Sequence, residues 1–201
     1  MIMTTEPYAD TRATSAEDAA AAARRVIAGL VRAGDLGGAD MASIADRLNE
    51  IADELDATAP TVEARLRDMW GNGRPNHDPV AGGENPIAPP LSYAGKDDGS
   101  IEAQVTLDLP YQGPPSCVHG GVSALLLDHT LGVANGWAGL HGMTAELTLR
   151  YHRTTPLFEP LTITGRHVSR DGRKIRTIGA IHAGGEACVT AEGLFVTPRT
   201  A

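Results

Sequence analysis

Val118-His119-Gly120-Gly121-Val122-Ser123-Ala124-Leu125-Leu126-Leu127-Asp128-His129-Thr130-Leu131-Gly132-Val133 is the stretch around which this chain is organised. Val122 to Asn135 reads as a helix that is apolar nearly all round, and such a helix belongs inside a protein. On either side of it the period changes from helical to two. Upstream, Ile101, Ala103, Val105 and Leu107 alternate with Glu102, Gln104, Thr106 and Asp108. That is a half-buried strand, closed by Tyr111-Gln112-Gly113-Pro114-Pro115. Downstream, Ala145, Leu147, Leu149 and Tyr151 alternate with Thr144, Glu146, Thr148 and Arg150. Leu161 to Val168 and Lys174 to Ile181 read as two further strands joined at Asp171-Gly172, and Gly184-Gly185 turns into a last one, Ala187 to Thr197. Neighbouring antiparallel strands around one buried helix predict an α+β fold.

The first third of the chain has a different texture. Ser15-Ala16-Glu17-Asp18 is a helix-start signal, followed by an alanine-rich run with Val26, Ile27, Leu30 and Val31 on one side, stopping near Gly34. Asp40 can cap a second helix, in which Met41, Ile44, Leu48, Ile51 and Leu55 recur at spacings of three and four as an amphipathic seam. Ala59-Pro60 breaks it, and Thr61 to Trp70 reads as a third short helix. These stripes need a partner surface, on the main domain or on a second subunit. Gly71 to Pro90 is rich in Gly and Pro and holds no helix. The expected organisation is a helical extension over 1–72, a connector over 73–88 and the main domain over 89–201.

Composition narrows the class. With 201 residues and 42% hydrophobic residues the chain has a real core. Cys117 and Cys188 lack metal-ligand spacing and are too few to staple a fold of this size, which points to a reducing, cytoplasmic setting. No run of about 18 apolar residues is present, so no membrane span is expected. Met1 to Pro7 lacks the features of a signal peptide. A net charge of −8 argues against nucleic acid as a partner. The charge is polarised: Met1 to Asn72 carries thirteen acidic against seven basic residues, whereas Arg150 to Arg176 carries seven basic residues against Glu159 and Asp171. That basic stretch reads either as a solvated strand and turn or as a local site for a small anion.

Asp128 is the odd residue in its helix. A carboxylate among apolar neighbours costs several kcal/mol unless it is paired, hydrated or protonated. It therefore has a partner, such as His129, or a task. The helix entry, His119-Gly120-Gly121, supplies the complementary chemistry. Glycines admit a substrate close to the backbone, and free N–H groups at a helix start attract a polarised carbonyl oxygen. His119 caps, orients or simply packs. Gly121 and Asp128 are seven residues apart, ~10.5 Å along the axis and on one face. They are too distant to act on one atom, but two such helices running antiparallel bring the start of one to the carboxylate of the other. The arrangement predicts a site shared by two subunits. Asp128-His129 with His119 shows no further ligand to complete a metal site, and no base stands ready to activate Cys117.

On these residues the chain resembles the hotdog-fold acyl-coenzyme A thioesterases, in particular the phenylacetate-pathway (PaaI) type. The resemblance runs from about Pro89 to Pro198. It rests on Tyr111-Gln112-Gly113-Pro114-Pro115 leading into Val118-His119-Gly120-Gly121, Asp128 nine residues after His119, Thr144 at the next strand, the turn Arg170 to Lys174, and Gly185-Glu186. It implies a sheet of five or more antiparallel strands wrapped around the central helix, protomers joined edge to edge as dimers, and dimers commonly paired as tetramers. It implies hydrolysis of acyl-CoA to free acid and CoA without a cofactor. Gly120 would polarise the thioester carbonyl, Asp128 of the facing subunit would be nucleophile or general base, and Thr144 would help hold water. Arg170, Arg173 and Lys174 then become candidates for the CoA phosphates. Two positions depart from the pattern. Gly113 stands where several relatives carry Asn, with Gln112 beside it, and Ser116-Cys117 stands where Gly and an apolar residue are frequent. The alternatives are a non-catalytic hotdog module that binds acyl-CoA as a sensor or assembly partner and, third, a hotdog dehydratase.

Overall fold

The computed structural model describes residues 15–34, 37–67, 77–89 and 91–199. The readings placed on Met1 to Pro7, on Trp70 and on Gly71 lie outside them. Helices α1 (Ser15–Ala33), α2 (Met41–Thr58) and α3 (Val62–Arg67) come first. Asp40 caps α2 as expected, its Oδ1 accepting the Ser43 N–H at 3.1 Å. Of the seam on α2, Met41, Ile44 and Leu48 are half-covered while Ile51 and Leu55 stay exposed.

Residues 77–89 contain no helix, as their Gly and Pro content predicts, yet they are not a slack linker. Asp78 Oδ1 accepts the N–H groups of Val80 at 2.7 Å and Ala81 at 2.9 Å, and Asn85 Nδ2 donates to the His77 carbonyl at 3.0 Å. Val80 and Ala88 are buried, and Val80 belongs to the main core.

The main domain follows as β1 (Tyr93–Gly95), β2 (Ile101–Thr106), a 3-10 turn (Leu109–Tyr111), α4 (Gly120–Trp137), β3 (Met143–Tyr151), β4 (Pro160–Asp171), β5 (Lys174–Ala183) and β6 (Glu186–Val196). The six strands form one antiparallel sheet in the order β1-β2-β4-β5-β6-β3. The expected strands are present and β1 is an addition. The glycine pair between β5 and β6 has left-handed φ values of 58° and 84°, the geometry of a two-residue hairpin turn.

Helix α4 packs on the inner face of this sheet, the expected α+β hotdog arrangement. Leu126, Leu127, Leu131 and Ala134 meet Leu161, Ile163, Ile175 and Ile181 with no exposure. Each such Leu or Ile contributes roughly 1.5–3 kcal/mol by burial. The approach is close: a Cβ at Gly179 would lie 2.6 Å from the Thr164 carbonyl and 2.9 Å from Leu131. The expectation of a buried helix holds for one side of α4. The face carrying Gly121, Leu125 and Asp128 is not fully covered by this chain's own sheet, and Leu125 is 42% exposed. Beside it runs β3, a nine-residue edge strand without a buried residue. A long open edge presents unpaired backbone groups to any second strand.

Candidate active site

The start of α4 sorts the predicted residues by their hydrogen bonds. His119 is the N-cap, with φ −61° and ψ 135°, and its Nδ1 accepts the Gly121 N–H at 2.9 Å. Its carbonyl accepts from Val122 and Ser123, and its own N–H donates to the Tyr111 carbonyl at 2.9 Å. Among the described residues this leaves Gly120 with the first-turn amide that has no acceptor, at the positive end of the helix dipole. The Gly121 N–H is therefore already engaged within the turn. The geometry of His119 is that of a cap. One partner of this turn was not legible in the sequence: the Tyr151 hydroxyl donates to the Gly120 carbonyl at 2.9 Å.

Asp128 is half-buried, and its Oδ1 accepts from the Thr144 hydroxyl at 2.9 Å. Thr144 is the second residue of β3 and Tyr151 its last, so one edge strand bonds α4 both at Asp128 and at Gly120. His129 does not pair with Asp128. Its Nδ1 lies 3.3 Å from Asp78 Oδ1, beneath the tilted ring of Tyr93. Burial pushes the Asp78 carboxyl up, but the bond to His129 and the N–H groups of Ala81 and Val80 outweigh it and hold the group below the usual carboxylate range. A lowered folded-state value gives stability that is present above the unfolded value and lost as pH falls through the folded one. Thermal unfolding of the parent should thus lose stability more steeply below about pH 4 than that of Asp78→Asn. Equal slopes would remove the pair from the acid response. Asp78 had no sequence signal, being one acidic residue in a Gly/Pro-rich stretch.

The two departures from the family pattern have local causes. A Cβ at Gly113 would lie 2.7 Å from the His119 Cα, so no side chain fits there. Gln112 is exposed and pairs with Val118 through the backbone. Ser116 has φ 61°, the left-handed region that favours glycine, which accounts for a frequent Gly at that position.

The basic turn occupies a third location. Thr144, Phe195, Ile175 and Arg170 form one row across β3, β6, β5 and β4. At about 4.8 Å per strand, Arg170 stands ~14 Å from Thr144 along the sheet. Arg170 Nε donates to the Gly172 carbonyl and Arg173 Nε to the Thr197 carbonyl, each at 2.9 Å, while Lys174 is exposed. Among the described residues no group of three or more His, Cys, Asp or Glu side chains has metal-binding geometry, and no helix is long and apolar enough to cross a membrane.

Comparison with known proteins gives the following. Residues 8–64 match a family described as "Hypothetical protein RHA1_ro05818, N-terminal helical domain". The crystal structure of protein RHA08564, a thioesterase superfamily protein, is 54% identical and superposes with a TM-score of 0.85, covering 95% of each chain. The acyl-coenzyme A thioesterase THEM4 of Bos taurus is 33% identical over 90 residues, 43% of this chain and 37% of that protein. The chain thus matches little more than a third of that curated relative's length. The E. coli PaaI protein, from the phenylacetic acid degradation operon, superposes with a TM-score of 0.50 over 53% of this chain and 82% of its own, and at 17% identity speaks for the fold alone.

Proposed function

This chain belongs to the thioesterase superfamily, and from that premise we propose that it hydrolyses acyl-coenzyme A thioesters to free acid and coenzyme A in a site built by two subunits. The observation that carries the reading is the double tether of β3. Gly120 and Asp128 are eight residues apart, ~12 Å along α4, so one chain does not bring both to one carbonyl. Tyr151 holds the Gly120 end and Thr144 the Asp128 end of the same open edge strand. Antiparallel pairing of two copies of β3 about an axis near Leu147 would set Thr144 opposite the partner's Arg150 and beside the partner's Tyr151. The Gly120 amide of one protomer then approaches the Asp128 carboxylate of the other. Pairing of such dimers into tetramers is part of the same proposal.

The chemistry follows from those two groups. The thioester carbonyl oxygen accepts the Gly120 N–H, and the negative charge that grows on it during attack is stabilised by the amide and the helix dipole. Asp128, with one oxygen occupied by Thr144, takes a proton from a water positioned by its other oxygen and by the Thr144 hydroxyl. The water oxygen bonds to the carbonyl carbon, the C–S bond breaks, and the CoA thiolate recovers the proton from Asp128. No cofactor enters. Single turnover in H₂¹⁸O tests the role of Asp128: label in the enzyme carboxylate would mark direct attack by Asp128 instead. Release of free thiol from a panel of straight-chain, branched and phenylacyl-CoA esters tests the activity itself. Binding without thiol release would leave the sensor reading. The free thiols of Cys117 and Cys188 fit a cytoplasmic setting.

Arg170, Arg173 and Lys174 are proposed to meet the phosphates of coenzyme A, at a distance from Thr144 that suits the arm between thioester and nucleotide. Replacing Arg173 and Lys174 by Ala should raise KM for acyl-CoA on the order of tenfold, with kcat changed far less, because phosphate contacts remote from the carbonyl contribute ground-state and transition-state binding alike. The effect should shrink as salt is added. An unchanged KM at low ionic strength would take these residues out of the site.

A further inference from the structure

We propose that the helical extension is a positioning element of the reaction, acting through the segment 77–89 on both the Gly120 amide and the Asp128 carboxylate. The inference rests on the reading of those two groups given above. Three contacts hold the segment to the extension or to itself. Arg24 of α1 donates through Nη1 to the carbonyls of Asn85 at 2.9 Å and Gly83 at 3.5 Å. Arg65 of α3 forms an ion pair with Glu84. Internally, the bonds that Asp78 and Asn85 make with the backbone shape the segment into a compact turn.

Two contacts then lead from the segment into α4. The Ile87 carbonyl accepts from the Tyr111 hydroxyl at 3.1 Å, and the Tyr111 carbonyl in turn accepts the N–H of His119, the residue before Gly120. Asp78 meets His129, the residue after Asp128. Helix α1 also packs directly on the 3-10 turn that carries Tyr111, and burial raises the Tyr111 phenol above its usual range, against the opposing effect of the nearby Arg24.

The start of α4 needs such support. Gly120 and Gly121 are both poorer helix formers than alanine, so a turn made open for a substrate is also prone to fray. Its order must come from outside the helix. One segment braces both ends of the chemistry on α4, and in the proposed dimer each site depends on both extensions.

The test compares full-length Arg24→Met and Asp78→Asn with the parent. Arg24→Met keeps the aliphatic packing of a half-buried side chain and removes its hydrogen bonds, so it decides the matter even if Asp78→Asn folds poorly. The expected result is a fall in kcat of about tenfold with KM for acyl-CoA within about twofold, since small misplacement of reacting groups acts on the chemical step. Amide exchange at residues 119–123 should quicken in the same variant. A lower unfolding midpoint with kcat and exchange unchanged would overturn the proposal and leave the extension a purely stabilising part. A raised KM with kcat intact would also overturn it, in favour of a wall at the substrate entrance. Asp128→Asn assayed in parallel separates the two levels. If it is inactive while Arg24→Met has parent kcat, the role of the extension alone fails. If Asp128→Asn turns over like the parent, the site assignment itself fails.

Discussion

Asp128→Asn should lower turnover of acyl-CoA by a factor on the order of 10²–10⁴, the range supplied by a positioned general base. The substitution is chosen for what it preserves. Asn has the same shape, and its carbonyl oxygen accepts the bond that Asp128 Oδ1 receives from Thr144. Helix α4 keeps its packing, because Asp128 lies on the open face while Leu126, Leu127 and Leu131 fill the core on the other side. Removing a charge from a half-buried position does not weaken the fold by desolvation, so the unfolding midpoint should stay at or above that of the parent. KM should change little, since the carboxylate acts on water rather than on CoA. Residual activity should rise with pH, as hydroxide replaces the water that Asp128 no longer deprotonates. Parent-level turnover in this variant would sink the mechanism.

The parts of this molecule that could be read in the sequence are those governed by local period. The alternation from Ile101 to Asp108 and from Thr144 to Tyr151 specifies β2 and β3, and the apolar run after Gly121 specifies α4, because each pattern marks an apolar face, which on β3 is only half-covered, at Leu147 and Leu149. β1 is only three residues long and exists through its pairing with β2, so no alternation announces it. The run in α4 does not by itself say what covers each face. Periodicity reports that a face is apolar, but not whether its own sheet or a second subunit covers it. The same limit applies to the site. The spacing from His119 to Asp128 along one helix is legible. The contacts of Thr144 and Tyr151 depend on β3 lying at the edge beyond β6, a crossover that no local pattern records. Residues 77–89 show the limit most clearly. Their Gly and Pro content rules out helix, but the burial of Val80 and the pairing of Asp78 with His129 arise only when the chain is folded.

A mixture of two inactive variants should recover activity, and this distinguishes a shared site from a self-contained one. Gly120→Pro removes the proposed oxyanion donor at small structural cost. Gly120 is the first residue of α4, where proline is favoured. His119 already has the extended backbone that precedes a proline, φ −61° and ψ 135°. A Cβ at position 120 would meet the Tyr151 hydroxyl at 3.4 Å and its ring at 3.5 and 3.6 Å, all ordinary contacts. Loss of one such donor should reduce kcat by roughly 10²–10³-fold, while Gly120→Ala, which keeps the N–H, should be affected much less. In a heterodimer of Gly120→Pro with Asp128→Asn, one site receives both lesions. The other joins the intact Gly120 of one protomer to the intact Asp128 of its partner. Random exchange of subunits makes half the dimers mixed, each with one working site, so about a quarter of the parent activity should return in a twofold-symmetric assembly. If both groups acted within one chain, every site in the mixture would carry a lesion and nothing would return. A mixture as inactive as its components, with exchange verified by mass, would break the link between the open β3 edge and the chemistry.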